Sequence, residues 1–198
     1  MYFFFKRLFD IISSIIVLVI LFPFLFIISV WILIDSPGGI LYKQVRVGKN
    51  GKEFKLLKLR SMSVNSDKNG QITVGDDSRV TRSGKFIRKF KIDEFPQLLN
   101  VIAGQMSIVG PRPEVPKYVA LYTKEQKEVL SVLPGLTDYA TLEYIDEQKI
   151  LGQTENPEKA YIKEVMPAKL ALNLKYIEKA NFLLDISLIF RTFYKIIT

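Results

Sequence analysis

From Ile11 to Ile34 the chain runs for 24 residues without one charged side chain. An α-helix rises about 1.5 Å per residue, so a straight helix of that length reaches across a hydrocarbon core roughly 30 Å thick. The run is too long for a cleavable leader and no small-residue cleavage site follows it, so it reads as a retained membrane helix. Two features leave its topology open. Pro23, near the middle, lacks a backbone donor and crowds the preceding turn, so it breaks or bends the helix. Lys6 and Arg7 precede the run, and Lys43, Arg46, Lys49 and Lys52 follow it. Positive charge on both flanks suits two cytoplasmic ends. A helix that enters the bilayer and returns, and a spanning helix with a tolerated kink, both satisfy these facts. Asp35-Ser36-Pro37-Gly38-Gly39 then stops the helix. The chain divides into a membrane segment, 1–36, and a domain, 37–198.

The chemistry open to that domain is narrow. The chain has no His and no Cys, which excludes disulfides, thiolate nucleophiles, thiolate zinc sites and the usual general base. Its 28 Lys and Arg outnumber 20 Asp and Glu, for a net charge of +8, which favours anionic partners. Ile40 to Val47 and Lys52 to Met62 read as a hairpin turning at Gly48-Lys49-Asn50-Gly51. Ser63 to Asp77 is polar and reads as a loop. Helices are expected over Lys85 to Phe90, Glu94 to Ala103 and Tyr118 to Val132. A longer one starts at Asn156-Pro157, is kinked or split at Pro167, and ends near Lys179. In the last segment Leu183, Ile186, Phe190, Phe193 and Ile197 form one helical stripe, with Asn181 able to cap it. That stripe fits a helix packed on the core or one lying in the membrane interface. The fold class is α/β with helices predominant and a small antiparallel β element.

The informative run is Lys91-Ile92-Asp93-Glu94-Phe95-Pro96-Gln97-Leu98-Leu99-Asn100. Pro96 suits the first turn of a helix, which places Asp93 and Glu94 at a helix start, where partial positive charge favours carboxylates and phosphates. An ionised carboxylate there can hold Mg²⁺ or attack phosphorus. The bland alternative is a cap. Lys58, Arg60, Arg79, Arg82, Lys85 and Arg88 cluster before the pair and suit phosphate oxygens, although a charge run is usually a solvated face. Downstream, Pro111 and Pro113 fix the backbone on either side of Arg112, which suits a presented ligand contact or merely a rigid exposed turn.

At this block the chain closely resembles the small monotopic phosphoglycosyl transferases, a family of bacterial sugar transferases. The resemblance runs from Lys6-Arg7-Leu8-Phe9-Asp10 through Pro23, Lys58-Leu59-Arg60-Ser61-Met62 and Asp77 to Lys85. It is densest from Ile92 to Glu114 and returns at Pro134-Gly135-Leu136-Thr137. It implies transfer of a sugar-1-phosphate from a UDP-sugar to a polyprenyl phosphate such as undecaprenyl phosphate, with release of UMP. Asp93 would be the nucleophile of a covalent phosphosugar intermediate. Glu94 would handle a proton or position metal and substrate. Mg²⁺, with Asp93 as a ligand, would neutralise the diphosphate. Arg112, between Pro111 and Pro113, would contact the nucleotide, and Lys58, Arg60 and Arg88 the phosphates. The resemblance also implies a re-entrant helix pivoting near Pro23, contact with membrane lipids, and a monotopic enzyme on the cytoplasmic face of the bacterial inner membrane. The chain departs from many relatives at Gln105, where they carry an acid, and after Pro-Gly-Leu-Thr, where it reads Asp138-Tyr139-Ala140-Thr141. The donor is therefore left as a UDP-hexose or an N-acetylated amino sugar. Two rivals stand beside this reading. One is a Mg²⁺-dependent polyprenyl-phosphate transferase without a covalent intermediate. The other is a membrane-tethered basic scaffold; nucleic acid is not an expected partner, because aromatic residues are not interleaved with the basic ones.

Overall fold

A computed structural model describes residues 2–64, 66, 77–144 and 147–197. The apolar run becomes a single helix, α1, Tyr2–Asp35, which is continuous through Pro23. The expected interruption is thus not a loss of helical structure at the proline. Most of α1's apolar side chains from Ile15 to Ile27 are exposed, while Asp10 and Ser14 near one end and Ile28 and Ile32 near the other are buried.

Both ends of α1 are fastened to the same domain. Near the start, Arg7 donates to the carbonyls of Val101 (2.7 Å), Ile102 (3.3 Å) and Met106 (3.2 Å). The Asp10 carboxylate accepts from the Ser107 hydroxyl at 2.7 Å and the Ile108 amide at 3.3 Å. At the far end Asp35 accepts from both the amide and the hydroxyl of Ser83, each at 2.8 Å. Ile28 and Ile32 pack there with Leu59, Ile87 and Ile92.

The hairpin forms as the alternation predicts, β1 Leu41–Val47 against β2 Glu53–Leu59, with Leu41 opposite Leu59 and Val47 opposite Glu53. Asn50, at φ 58°, makes the left-handed turn residue between them. Most of the polar segment Ser63–Asp77 lies outside the described residues. Helix α2, Arg82–Lys89, is capped by Thr81, whose hydroxyl accepts from the Gly84 amide at 3.0 Å. A Cβ on Gly84 would stand 2.0 Å from the Ser61 carbonyl oxygen, so only glycine lets α2 press this closely on the strand end.

The expected helix over Glu94 to Ala103 is shorter and in two pieces. A 3-10 turn, Ile92–Glu94, precedes α3, Gln97–Ile102, and Pro96 occupies the cap rather than the first turn. Two three-residue strands, β3 Ser107–Val109 and β4 Gly135–Thr137, pair in parallel, a second small sheet beside the antiparallel hairpin. A Cβ on Gly135 would meet Gly110 backbone atoms at 2.2–2.7 Å, so this crossing also depends on glycine.

The expected helix Tyr118–Val132 is interrupted. It becomes α4, Pro116–Val119, and a 3-10 segment, Gln126–Ser131. The cause is a capping box: the Thr123 hydroxyl accepts from the Gln126 amide while the Gln126 side chain accepts from the Thr123 amide. Helices α5, Tyr139–Glu143, and α6, Glu147–Gly152, follow. Asn156 caps α7, Pro157–Ala160, which continues through a π segment, Tyr161–Val165, into α8, Met166–Lys179. The π segment ends just before Pro167, where the expected split would fall, and accommodates the missing donor. The last helix is α9, Phe182–Ile197, with Asn181 accepting from the Leu184 amide at 3.0 Å. Leu188 and Asp185 are buried against the domain, whereas Leu183, Phe190 and Phe193 of the expected stripe face outward with Tyr194.

Candidate functional site

Asp93 and Glu94 stand on the 3-10 turn, introduced by Lys91 in a left-handed conformation (φ 56°) that a non-glycine residue adopts at a cost of about 1–2 kcal/mol. The turn is seated by Ile92, which is buried against Ile28 and Ile32 of α1. The turn that carries the carboxylates therefore shares a core cluster with the domain-bound end of the apolar helix.

Lys58, on β2, reaches both acids, 3.3 Å from Glu94 and 3.9 Å from Asp93. The strand carrying it is fixed by Asn100 of α3, whose side chain accepts from the Leu57 amide (3.0 Å) and donates to the Lys55 carbonyl (2.9 Å) and to Gln105 (2.7 Å). Arg112 pairs with Glu94 through one terminal nitrogen and donates to the Leu136 carbonyl at 3.0 Å through the other. Its backbone amide donates to Asp138 at 3.2 Å, and Asp138 also caps α5 by accepting from the Thr141 amide. The loop around Pro111 and Pro113 is held from two further sides: Gly135 donates to the Pro111 carbonyl at 2.9 Å, and Arg46 donates to the Pro113 carbonyl at 2.9 Å. The β3–β4 pairing is thus what carries Arg112 to Glu94.

The two acids are not equivalent. Burial opposes the charged form of Glu94, but the Arg112 and Lys58 charges outweigh it and hold its carboxyl well below the usual carboxylate range. Burial pushes the Asp93 carboxyl up; Lys58 opposes this, Glu94 adds to it, and Arg88 and Lys91 oppose it further. Burial likewise lowers the Lys58 ammonium against the pull of Glu94 and Asp93. Among the described residues the Asp93 carboxylate accepts no hydrogen bond, and about 10% of its side chain is exposed. A six-residue helix starting four residues later contributes little dipole, so the local cations, rather than a helix terminus, favour ionisation here.

The structure thus brings Asp93, Glu94, Lys58 and Arg112 together, with Arg88 near enough for its charge to act on Asp93. Arg88 is half-buried on α2 and makes no hydrogen bond among the described residues. Arg60 is used elsewhere. It is buried and donates to the Ser36 carbonyl at 2.6 Å and the Pro37 carbonyl at 2.7 Å, clamping the turn where α1 ends. The expectation of a phosphate contact from Arg60 therefore meets a guanidinium already engaged with backbone. Asn100 and Asp138 act on the site through β2 and Arg112, and sequence reasoning missed both. Their signal was only indirect, as the last residue of the acidic run and the first after Pro-Gly-Leu-Thr.

Among the described residues no group of three or more acidic side chains is arranged to enclose a cation. Mg²⁺ commonly binds through one or two carboxylates plus substrate phosphates. Asp93, with its oxygens unclaimed by hydrogen bonds, fits that mode, whereas Glu94 is already engaged by Arg112 and Lys58.

The family model described as bacterial sugar transferase matches residues 1–198. An exopolysaccharide production protein, PSS, of Rhizobium leguminosarum bv. phaseoli is 39% identical over 94% of the chain and 92% of its own length. A UDP-glucose:undecaprenyl-phosphate glucose-1-phosphate transferase of Klebsiella pneumoniae is 38% identical over 96% of the chain. A UDP-N-acetylgalactosamine-undecaprenyl-phosphate N-acetylgalactosaminephosphotransferase of Aeromonas hydrophila is 35% identical over the whole chain. The chain spans 40% of the Klebsiella protein and 44% of the Aeromonas protein.

Proposed function

The chain belongs to the bacterial sugar transferases, and from that premise we propose that it moves a sugar-1-phosphate from a UDP-sugar to a polyprenyl phosphate, releasing UMP. The observation that carries the proposal is Asp93: a mostly buried carboxylate, accepting no hydrogen bond, beside Lys58, Arg88 and Lys91 and seated on the end of an apolar helix. A structural acid in such a place would be bonded to its neighbours. One left unbonded among cations is suited to meet phosphorus.

In the first step an Asp93 oxygen attacks the sugar-bearing phosphorus. The anhydride bond to the nucleotide phosphate breaks, and UMP leaves with the electron pair. In the second, an oxygen of polyprenyl phosphate attacks the same phosphorus, the aspartyl oxygen–phosphorus bond breaks, and the carboxylate returns. Neither step needs a proton from Glu94, and its strong tendency to stay ionised argues for a positioning role: it holds Arg112 and Lys58 where phosphate oxygens arrive. Arg88, without a hydrogen-bonding partner among the described residues, is available to the diphosphate. Mg²⁺ would be held by Asp93 together with the substrate's phosphates, and would neutralise diphosphate charge. The relatives named above act on glucose and N-acetylgalactosamine donors, so the donor is proposed as a UDP-hexose or UDP-N-acetylhexosamine.

The attachments of α1 support a reading of its membrane topology. A straight helix of 34 residues is about 51 Å long, well beyond a 30 Å core. Arg7 and Asp10 near one end and Asp35 at the other all bond to one domain. Two ends tied to one domain cannot lie on opposite sides of a bilayer. We therefore read α1 as re-entrant, bending at Pro23, and the enzyme as monotopic on the cytoplasmic face of the inner membrane, with the outward stripe of α9 in the interface.

The test is UMP release from a panel of UDP-sugars by the purified full chain with Mg²⁺ and polyprenyl phosphate. Release with at least one donor, absent in Asp93→Asn, is expected. No release from any donor would overturn the proposal.

A further inference from the structure

Helix α2 links the site to the lipid boundary, and its two faces differ. Ser83, Gly84 and Ile87 are buried, and Arg88 beside them acts on Asp93. The opposite face, at the three-four spacing of one helical side, carries Arg82, Lys85, Phe86 and Lys89, all exposed, followed by exposed Phe90. This face does not end in solvent. The Phe86 ring lies 5.5 Å from the Trp31 ring of α1 and 5.1 Å from the Phe90 ring, and the Lys89 ammonium sits 5.5 Å from the Phe90 ring centre. Trp31 itself is exposed among Ile27, Val30 and Ile34. Along this surface the exposed apolar residues of α1 are followed by three aromatic rings, with Lys89 beside the last of them. Aromatic rings beside basic residues are the composition of a membrane–water boundary. Asp35, whose carboxylate is bonded to Ser83 at the helix start, acts electrostatically on Arg82 at that end of the face, while Lys85 and Lys89 lie one and two turns further along α2.

We propose that the outer face of α2 is a binding surface for the headgroups of anionic phospholipids, with Arg82 and Lys89 supplying charge and Trp31, Phe86 and Phe90 setting depth. Charge complementarity and continuity with the exposed surface of α1 select this occupant over a protein partner. The surface would hold the α2 end of the active site at headgroup level, the depth at which an acceptor's phosphate also lies. The inference rests on α1 being embedded in a bilayer, but not on the reaction assigned to Asp93.

Trp31 is the only tryptophan in the chain, so its emission reports this surface alone. The full chain is reconstituted in neutral phosphatidylcholine bilayers doped with equal fractions of brominated phosphatidylglycerol or brominated phosphatidylcholine. Each nearby Lys or Arg adds on the order of a fivefold local preference at low salt, so quenching by the anionic lipid should exceed the neutral one by roughly twofold or more. The excess should shrink as salt is raised. It should collapse in the surface double variant Arg82→Gln/Lys89→Gln and persist in Lys124→Gln/Lys127→Gln, which removes charge from the exposed segment after α4. Equal quenching by the two lipids in the unmodified protein, or an excess indifferent to the α2 variant, would overturn the inference while leaving α1 in the membrane. Absence of quenching by either lipid would overturn the membrane reading as well.

Discussion

Asp93 and Asp185 are both buried acids close to cations, yet they are built in opposite ways. Asp185, on α9, accepts from Tyr2 (2.8 Å), Lys6 (2.7 Å) and Tyr176 (2.7 Å). Two of these contacts join α9 to the start of α1 and the third joins it to α8, and the charge is satisfied in place. Asp93 has cations around it and no hydrogen bond among the described residues. A charge fully satisfied by its own protein has little left to offer a substrate. One that burial disfavours and nothing bonds gains when a ligand arrives. The contrast separates a fastening from the proposed nucleophile, although both read simply as acids near basic residues.

Five substitutions would break or sharpen that contrast. Asp93→Asn should cost at least about a thousandfold in UMP release. It should also leave thermal stability equal or higher. The sign follows from linkage: a carboxyl whose pKa is raised by folding stabilises below its unfolded pKa, and that contribution is lost as pH rises through the raised folded value. At neutral pH the ionised Asp93 is thus a strain that Asn removes. Asp185→Asn should do the reverse, losing roughly 2–4 kcal/mol of stability because Lys6 is left without its buried partner. Folded molecules should keep near-normal turnover; a Tm shift and turnover per folded molecule in detergent read both. If Asp93→Asn proved the more destabilising of the two, the contrast would fail.

Arg112→Lys keeps the charge but loses the fork that spans Glu94 and the Leu136 carbonyl. A fall of about a hundredfold in kcat/KM is expected, with stability changed by less than in Asp185→Asn. Asn100→Ala removes three hydrogen bonds that hold β2 beside α3, for about 1–3 kcal/mol and a smaller, roughly tenfold loss of turnover through Lys58. The smallest effect concerns pH. In the proposed mechanism Asp93 is ionised when it attacks, and its pKa is raised by burial, so the acid limb of the rate profile should lie above the ordinary aspartate range. Arg88 opposes that rise, so Arg88→Gln should move the limb to higher pH. A limb that stays in place would remove Arg88 from the site.

What could be read from the sequence divides along the same physical line. The long apolar helix, the hairpin and the caps at Asn156 and Asn181 are local, set by periodicity and by single residues with known preferences. The acidic pair was legible because Pro96 and the flanking apolar residues mark a helix entry. The parallel β3–β4 pairing was not, since strands of three residues carry no periodicity and their partners are 28 positions apart. Without it, nothing indicated that Pro-Gly-Leu-Thr braces Arg112, or that Asp138 joins the Arg112 amide to the start of α5. Gln105 accepts from Asn100 at 2.7 Å, an acceptor role that an acid could equally fill. Arg60 illustrates the same limit: only the fold shows that its guanidinium is used on the carbonyls after α1.

The most direct test is intact-protein mass spectrometry after incubation with a UDP-sugar and Mg²⁺ in the absence of polyprenyl phosphate. The account predicts a gain equal to the donor's sugar phosphate, mapped to the peptide containing Asp93 and discharged on addition of the acceptor. No adduct with a donor that supports turnover, or the same adduct on Asp93→Asn, would contradict it.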